Sequence, residues 1–315
     1  KVNGTRAQFA LEPKKKREAR YNQVKPLTNL IFNLLFFVLS LLCLLPVIFV
    51  FMISISSEAS LLANGYRFIP ESFSLAAYKF LWNERSMIFN AFKISVLVTF
   101  FGTLLGLFLT TTMGYVLSRP QYRLKNFFTY VVFIPMIFNG GMAANYVIVA
   151  NVLGLRNNIL ALILPLAVNS FNVIICKTFF KTTIPESLIE SAKIDGASQI
   201  RIFAQIVLPI SKPLVATIGL FLAFTYWNDW FQSSLYISNR NLLSLQALLN
   251  NILMNIQYLA NNPTAGLSLV QYKNQMPSES VRMAIAILIA LPIACVYPFL
   301  QKYFISGLTV GALKG

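Results

Sequence analysis

Six long, predominantly apolar stretches limit what this chain can fold into more than any other feature. They run over Leu30–Ile55, Ile88–Leu117, Phe127–Ala150, Ile159–Phe180, Leu214–Tyr236 and Val281–Phe304. About 20 apolar residues are enough to carry a helix across the hydrocarbon of a bilayer. In lipid every backbone amide needs a partner within the structure, which leaves helices and closed barrels, and runs of this length read as helices. Composition agrees. Of 315 residues 57% are apolar and 11% charged, and a soluble domain carries roughly twice that charge. The expectation is an all-α polytopic membrane protein with six transmembrane helices over residues 28–304, a basic tail over 1–27 and a short tail over 305–315.

The net charge of +16 would suit a nucleic-acid binder, but its placement argues otherwise. With both termini inside the cell, the internal segments 1–27, 118–126, 177–212 and 302–315 hold 18 of the 26 Lys and Arg residues. Arg67, Lys79, Arg85, Arg156, Arg240, Lys273 and Arg282 fall outside, and Lys93 falls in the second span, where its amine can reach the headgroups. That asymmetry is a topology signal rather than a nucleic-acid groove. Cys43, Cys176 and Cys295 show no paired spacing, and histidine is absent, so neither a disulfide framework nor a metal site is expected. The first apolar run is too long for the core of a cleavable signal. No G-x-x-x-x-G-K-[ST] phosphate loop occurs, so ATP is not expected to bind this chain.

Between the fourth and fifth runs lies a charged stretch, residues 183–213, carrying Glu186, Glu190, Lys193, Asp195 and Arg201. Thr183 and Glu186 have the spacing of a capping box around Pro185. Leu188, Ile189 and Ala192 fall on one helical face, and Gly196 suits a helix end. Ile200, Phe203 and Val207 then line one side of a second short helix, which Pro209 and Pro213 close. The expected product is a helix–Gly–helix elbow over residues 183–209, held at the membrane surface and able to receive a push from a soluble partner.

Glu190-Ser191-Ala192, Gly196 and Ile206-Val207-Leu208-Pro209 follow the pattern E-A-A, three residues, G, nine residues, I-x-L-P. This resembles the signature of ABC-importer permease subunits, with Ser191 in place of the first alanine. Four further stretches look like the carbohydrate-uptake, maltose-transporter-type branch, and within it the permeases for complex oligosaccharides of Gram-positive bacteria. They are Asn139-Gly140-Gly141, Ile184-Pro185-Glu186 with Lys193–Ser198, Trp227–Phe231 and the ending Gly307–Gly315. The resemblance implies a type I importer permease fold with cytoplasmic coupling helices, in a bacterial cytoplasmic membrane. It implies a second, homologous permease, two cytoplasmic ATPase subunits that bind ATP and Mg, and an external solute-binding lipoprotein. The coupling residues it implies are Glu186, Leu188, Ile189, Glu190, Ser191, Ala192, Asp195, Gly196, Arg201, Phe203, Leu208 and Pro209. Of these Glu190, Asp195 and Arg201 would be polar contacts to the ATPase, and Leu188, Ile189 and Phe203 would fill its cleft.

The remaining candidates concern the solute. The third run is interrupted at Pro135 and Asn139-Gly140-Gly141. Broken helices at membrane depth are tolerated in protein or beside a watery cavity, so residues 135–146, with Asn139 and Asn145, are a candidate lining of the substrate path. In the fourth run Asn169 and Asn172 share a helical face and either tie helices together or contact solute. The fifth ends in Tyr226-Trp227-Asn228-Asp229-Trp230, which reads either as an interfacial aromatic belt or as a sugar site of aromatic faces with amide and carboxylate groups. The glycines and threonines of the second run suit close helix packing. The aromatics of residues 56–87 are a membrane-interface belt or a docking surface. The loop over 237–280 carries a helical pattern at Leu242, Leu245, Leu248, Leu249, Ile252 and Ile256. An amino-acid or peptide permease would share the elbow; a secondary transporter would need mid-membrane coupling charges and repeated halves, which are missing.

Overall fold

A computed structural model describes residues 25–261 and 278–312. The described residues are almost wholly helical, with one isolated antiparallel bridge between Ser56 and Phe73. The first apolar run forms α1, Pro26–Ser54, with Pro26 in its first turn and Pro46 absorbed inside it. Its outer surface is apolar and open to the surroundings, as a lipid-facing helix requires, and burial begins at Ile53 and Ser54. There the Ser54 and Tyr78 hydroxyls meet at 2.8 Å. Two short helices follow, α2 (Glu58–Asn64) and α3 (Ala76–Asn83).

The axis of the bundle is α4, Arg85–Ser118. Its 34 residues span about 51 Å at 1.5 Å per residue, well over the thickness of the hydrocarbon. The row Ala91, Ile94, Val98, Gly102, Gly106, Thr110 and Gly114, spaced by three and four, is its buried face. A Cβ on Gly114 would lie 2.5 Å from Cys176 Cβ, and one on Gly102 2.5 Å from the Tyr226 ring. The small residues of the second run therefore let two neighbouring helices approach the α4 backbone, as small residues do where lipid supplies no hydrophobic drive.

The third and fourth runs are both broken. α5 (Lys125–Ile137) stops before Asn139, and α6 (Gly141–Val152) restarts at Gly141, whose φ of 81° suits glycine, and ends in a π turn. α7 (Leu160–Leu166) and α8 (Ser170–Thr183) meet at 49°. The fifth run gives α11 (Lys212–Trp227) and α12 (Phe231–Tyr236), separated at Asn228-Asp229-Trp230. α13 (Leu245–Asn261) buries Leu245, Leu248 and Leu249 against α4; Leu242, expected in that helix, belongs to the 3-10 turn before it. Of the six expected spans, α1 and α4 are each one helix long and apolar enough to cross a membrane, and α7–α8 reaches that length only as a bent pair.

α14 (Ser278–Ala312) closes the bundle and runs through residues expected as a tail after Phe304. Glu58 receives the backbone N–H groups of Glu279 (2.9 Å) and Ser280 (3.2 Å) and so caps this helix from 221 residues away. Tyr66 donates to Glu279 at 2.6 Å, and that bond raises the phenol's pKa above its ordinary value. The basic run Lys14–Arg17 and the polar loop 262–277 lie outside the described residues.

Candidate functional site: the elbow between the fourth and fifth spans

The charged stretch folds into two short helices set across the end of the bundle. α9 is Glu186–Ile194, and α10 runs Gln199–Ile210 through a π turn at Phe203–Val207. α10 meets α11 at 85°, with Ser211 at the corner. The expected capping box is not formed. Thr183 is the last residue of α8, and helical backbone cannot serve as an extended cap. Pro185 takes the cap position instead, with ψ 140° and no side-chain bond.

The far end of α9 is a Schellman turn. Gly196 N–H donates to Lys193 O (3.0 Å), Ala197 N–H donates to Ala192 O (2.9 Å), and Gly196 holds φ 77°. Ser198 then caps α10 by accepting from Arg201 N–H at 3.3 Å. Gln121, in the α4–α5 loop, clamps α9 from the side. Its amide donates to Glu186 (2.8 Å) and accepts from Lys193 (3.0 Å).

One apolar core runs from the elbow into the bundle: Ile189, Ala192, Ile202 and Val207 pack with Tyr115, Phe180 and Leu214. Tyr115 has its ring 5.0 Å from Phe203 and 6.1 Å, edge-on, from Phe180. This placement corrects two expectations. Ile189 is 2% exposed, so it packs inside the chain and cannot fill a partner's cleft; Phe203 is half-buried against Tyr115. Ile200 does not share a buried face with Phe203 and Val207. It is 81% exposed, while Ile202 and Val207 are buried, because the π turn changes the register so that residues five apart line up.

The outer face carries what a partner would meet. Ile194 (86% exposed) and Ile200 (81%) flank the Gly196 bend in sequence, and Leu188 is also exposed. Glu190, Ser191, Asp195, Arg201 and Pro209 are exposed around them, and Glu186 and Leu208 are half-buried. Arg201 Nε donates to Gln205 at 2.9 Å. The two isoleucines and these polar groups are the side chains that this face presents to the surroundings. The sequence reading missed Ile194 and misplaced Ile200, although Ile194 stands five residues past Ile189 and so off its face.

The candidate substrate-path residues do not converge. Asn139 and Asn145 are exposed at the α5–α6 break, and Asn139 Oδ1 accepts from Gly141 N–H at 2.9 Å. Asn169 is the N-cap of α8, accepting from Phe171 N–H (3.0 Å) and Asn172 N–H (3.3 Å). It therefore lies outside the helix and shares no helical face with Asn172, itself buried. Tyr226 is 2% exposed, and its hydroxyl donates to Ile163 O at 2.7 Å. Trp227 packs edge-on against Phe92. Asn228 donates back to Phe224 O, and the Asp229 carboxylate accepts from Gln232 N–H. Trp230 is 47% exposed, its ring edge-on to Phe231. Among the described residues no group of three or more His, Cys, Asp or Glu is placed to hold a metal ion.

The described residues thus form a helical bundle with broken spans and an exposed, charged elbow at one end. Residues 124–310 match the family described as binding-protein-dependent transport system inner membrane component, and the chain belongs to that family. Protein LplC of Bacillus subtilis is 38% identical over 86% of this chain and 90% of its own length. The polygalacturonan/rhamnogalacturonan transport system permease protein YtcP of the same organism is 36% identical over 91% and 99%. Among solved structures, a chain of a bacterial ABC transporter that imports the acidic polysaccharide alginate superposes with a TM-score of 0.74 at 26% identity, covering 93% of this chain and 99% of that one. The chain is thus a transport permease of a binding-protein-dependent importer, not an enzyme.

Proposed function

We propose that this chain is one of two permease subunits in an ATP-driven importer of oligosaccharides, worked through the elbow by two cytoplasmic ATPases. The observation that carries the reading is the elbow's division of labour. Ile194 and Ile200 face outward for a partner, while Ile189, Ile202 and Val207 fasten the same element into the core formed with α4, α8 and α11. A force applied at the isoleucines is therefore passed to three spans at once. Closure of the ATPases would swing the two permeases between inward-open and outward-open states, an alternation of discrete arrangements rather than a fixed pore. On this reading both termini and the elbow lie in the cytoplasm.

The opposite face supports the encounter with a solute-binding protein. There α3, the segment 237–243 and α13 surround a cleft of about 690 Å³ that includes Glu84, Arg240 and Tyr258. The oligosaccharide class is supported by the relative named for polygalacturonan/rhamnogalacturonan and the solved structure named for alginate import, and by Trp230, exposed at the end of the fifth run. The decisive experiment reconstitutes the chain with its partner permease, ATPases and binding protein. ATP hydrolysis should rise when the binding protein is loaded with oligosaccharide. Solute movement by the purified chain alone, or labelling of residues 184–209 from outside the cell, would overturn the reading.

A further inference from the structure

At the root of the elbow lies a cavity of about 600 Å³ between the end of α4, the start of α5, α8 and the short segment leading into α9. Four cations line it: Arg119, Lys125, Lys177 and Lys181. The carboxylate in the wall, Glu186, already accepts from Gln121. Ion pairs between described residues are confined to Arg67–Glu71 and Arg282–Glu279, so none of the four is ion-paired with a described residue. Lys177 reaches the Thr129 hydroxyl (3.0 Å), Lys125 the Pro120 carbonyl (3.5 Å), and Arg119 the Phe180 carbonyl (3.2 Å) and the Ser118 hydroxyl, with its guanidinium 5.0 Å over the Tyr115 ring. Like charges gathered in one recess repel one another, and an anion entering it relieves that cost.

A second, apolar cleft adjoins the first. It has about 310 Å³ and is lined by Met113, Val116, Leu117, Tyr122, Phe128 and Val132, with Thr112, whose hydroxyl already donates to Phe108 O at 2.6 Å. Leu117 belongs to both walls. A soluble anion has no use for an apolar extension, whereas a phosphate ester carrying a hydrocarbon chain fits both parts. We propose that these joined clefts hold an anionic phospholipid, its phosphate among Arg119, Lys125, Lys177 and Lys181 and an acyl chain along Val116 and Phe128. Basic pockets between spans next to a membrane surface are suited to such headgroups. Ile184, Pro185 and Glu186 form one wall of the headgroup cavity, so the bound lipid braces the first turn of the elbow.

The test uses the assembled complex in phosphatidylcholine vesicles doped with phosphatidylglycerol that carries a photoactivatable acyl chain. Labelling is expected at Val116, Tyr122 or Phe128. Lys125→Gln with Lys181→Gln removes two cations and should weaken the lipid about thirtyfold, while Lys125→Arg with Lys181→Arg retains it. Val116→Trp, which fills the apolar cleft at a half-exposed position and keeps every cation, should also abolish labelling. Equal labelling by photoactivatable phosphatidylcholine, or labelling untouched by the glutamines, overturns the proposal. Displacement of the lipid by inorganic phosphate at physiological salt would assign the cavity to a soluble anion and overturn it as well.

Discussion

Replacing Gly196 separates a backbone requirement from a steric one. The residue holds φ 77° in the turn between α9 and α10, and a Cβ built there meets no heavy atom within 4 Å. Within the chain, then, the cost of a side chain is conformational alone. An L-residue in the left-handed region costs about 1 kcal/mol, and asparagine, which visits that region routinely, costs less. Valine costs more, because a β-branched residue at positive φ is a true outlier. About 1 kcal/mol opens the turn roughly fivefold more often. Gly196→Ala should accelerate hydrogen exchange of the Ala197 amide, one of the two bonds of the turn, by about that factor. Gly196→Asn should do so less and Gly196→Val more, with substrate-stimulated ATP hydrolysis by the assembled complex falling in the same order. If asparagine damages coupling as much as alanine or more, side-chain size against the partner governs the position, and the backbone argument is refuted.

Ile194→Ser with Ile200→Ser should leave the fold intact, because both side chains are more than four-fifths exposed. Their burial by a partner is worth about 3 kcal/mol together, so capture of the ATPase should weaken about a hundredfold, read by titration against the permease in nanodiscs. Gly114→Ala would force a Cβ to 2.5 Å from Cys176 Cβ and 3.1 Å from Lys177 N; overpacking of this kind costs about 1–3 kcal/mol. Gly140→Ala, with its nearest neighbour at 3.7 Å, should be neutral beside it in thermal unfolding. Tyr226→Phe strands the Ile163 carbonyl and should cost about 1–3 kcal/mol of stability while leaving the apparent affinity for sugar unchanged. A shifted affinity would return Tyr226 to the solute path.

Much of the architecture can be read from the residues because lipid imposes so narrow a choice. Apolar length alone located α1 and α4 to within a few residues, and Asn139-Gly140-Gly141 marked the break between α5 and α6. The elbow was legible in Gly196, whose positive φ the structure requires. The errors arise where local chemistry has more than one outlet. Thr183 and Glu186 carry capping-box spacing, but α8 extends through Thr183 and consumes it. A 3.6 period sets Ile200 on one side with Phe203 and Val207, and the π turn abandons that period. Asn169, Tyr226 and Asp229 are polar groups near span ends, and sequence does not distinguish an amide or hydroxyl that binds backbone from one that binds a ligand. Here all three bond backbone, two at helix starts and one across to Ile163.

The core shared by the elbow, α4, α8 and α11 also decides where this molecule can bend. Moving along each of the three broken spans away from the elbow end, that packed region or its neighbour at Val132 and Val173 comes first and the break in the helix second. The breaks fall at 138–140, 167–169 and 228–230. Stiffness and compliance are thus arranged in series: a solid hub at the elbow, jointed segments beyond it. Motion delivered at the hub reaches the far face as rotation about those joints, where Trp230 and the loops around it stand.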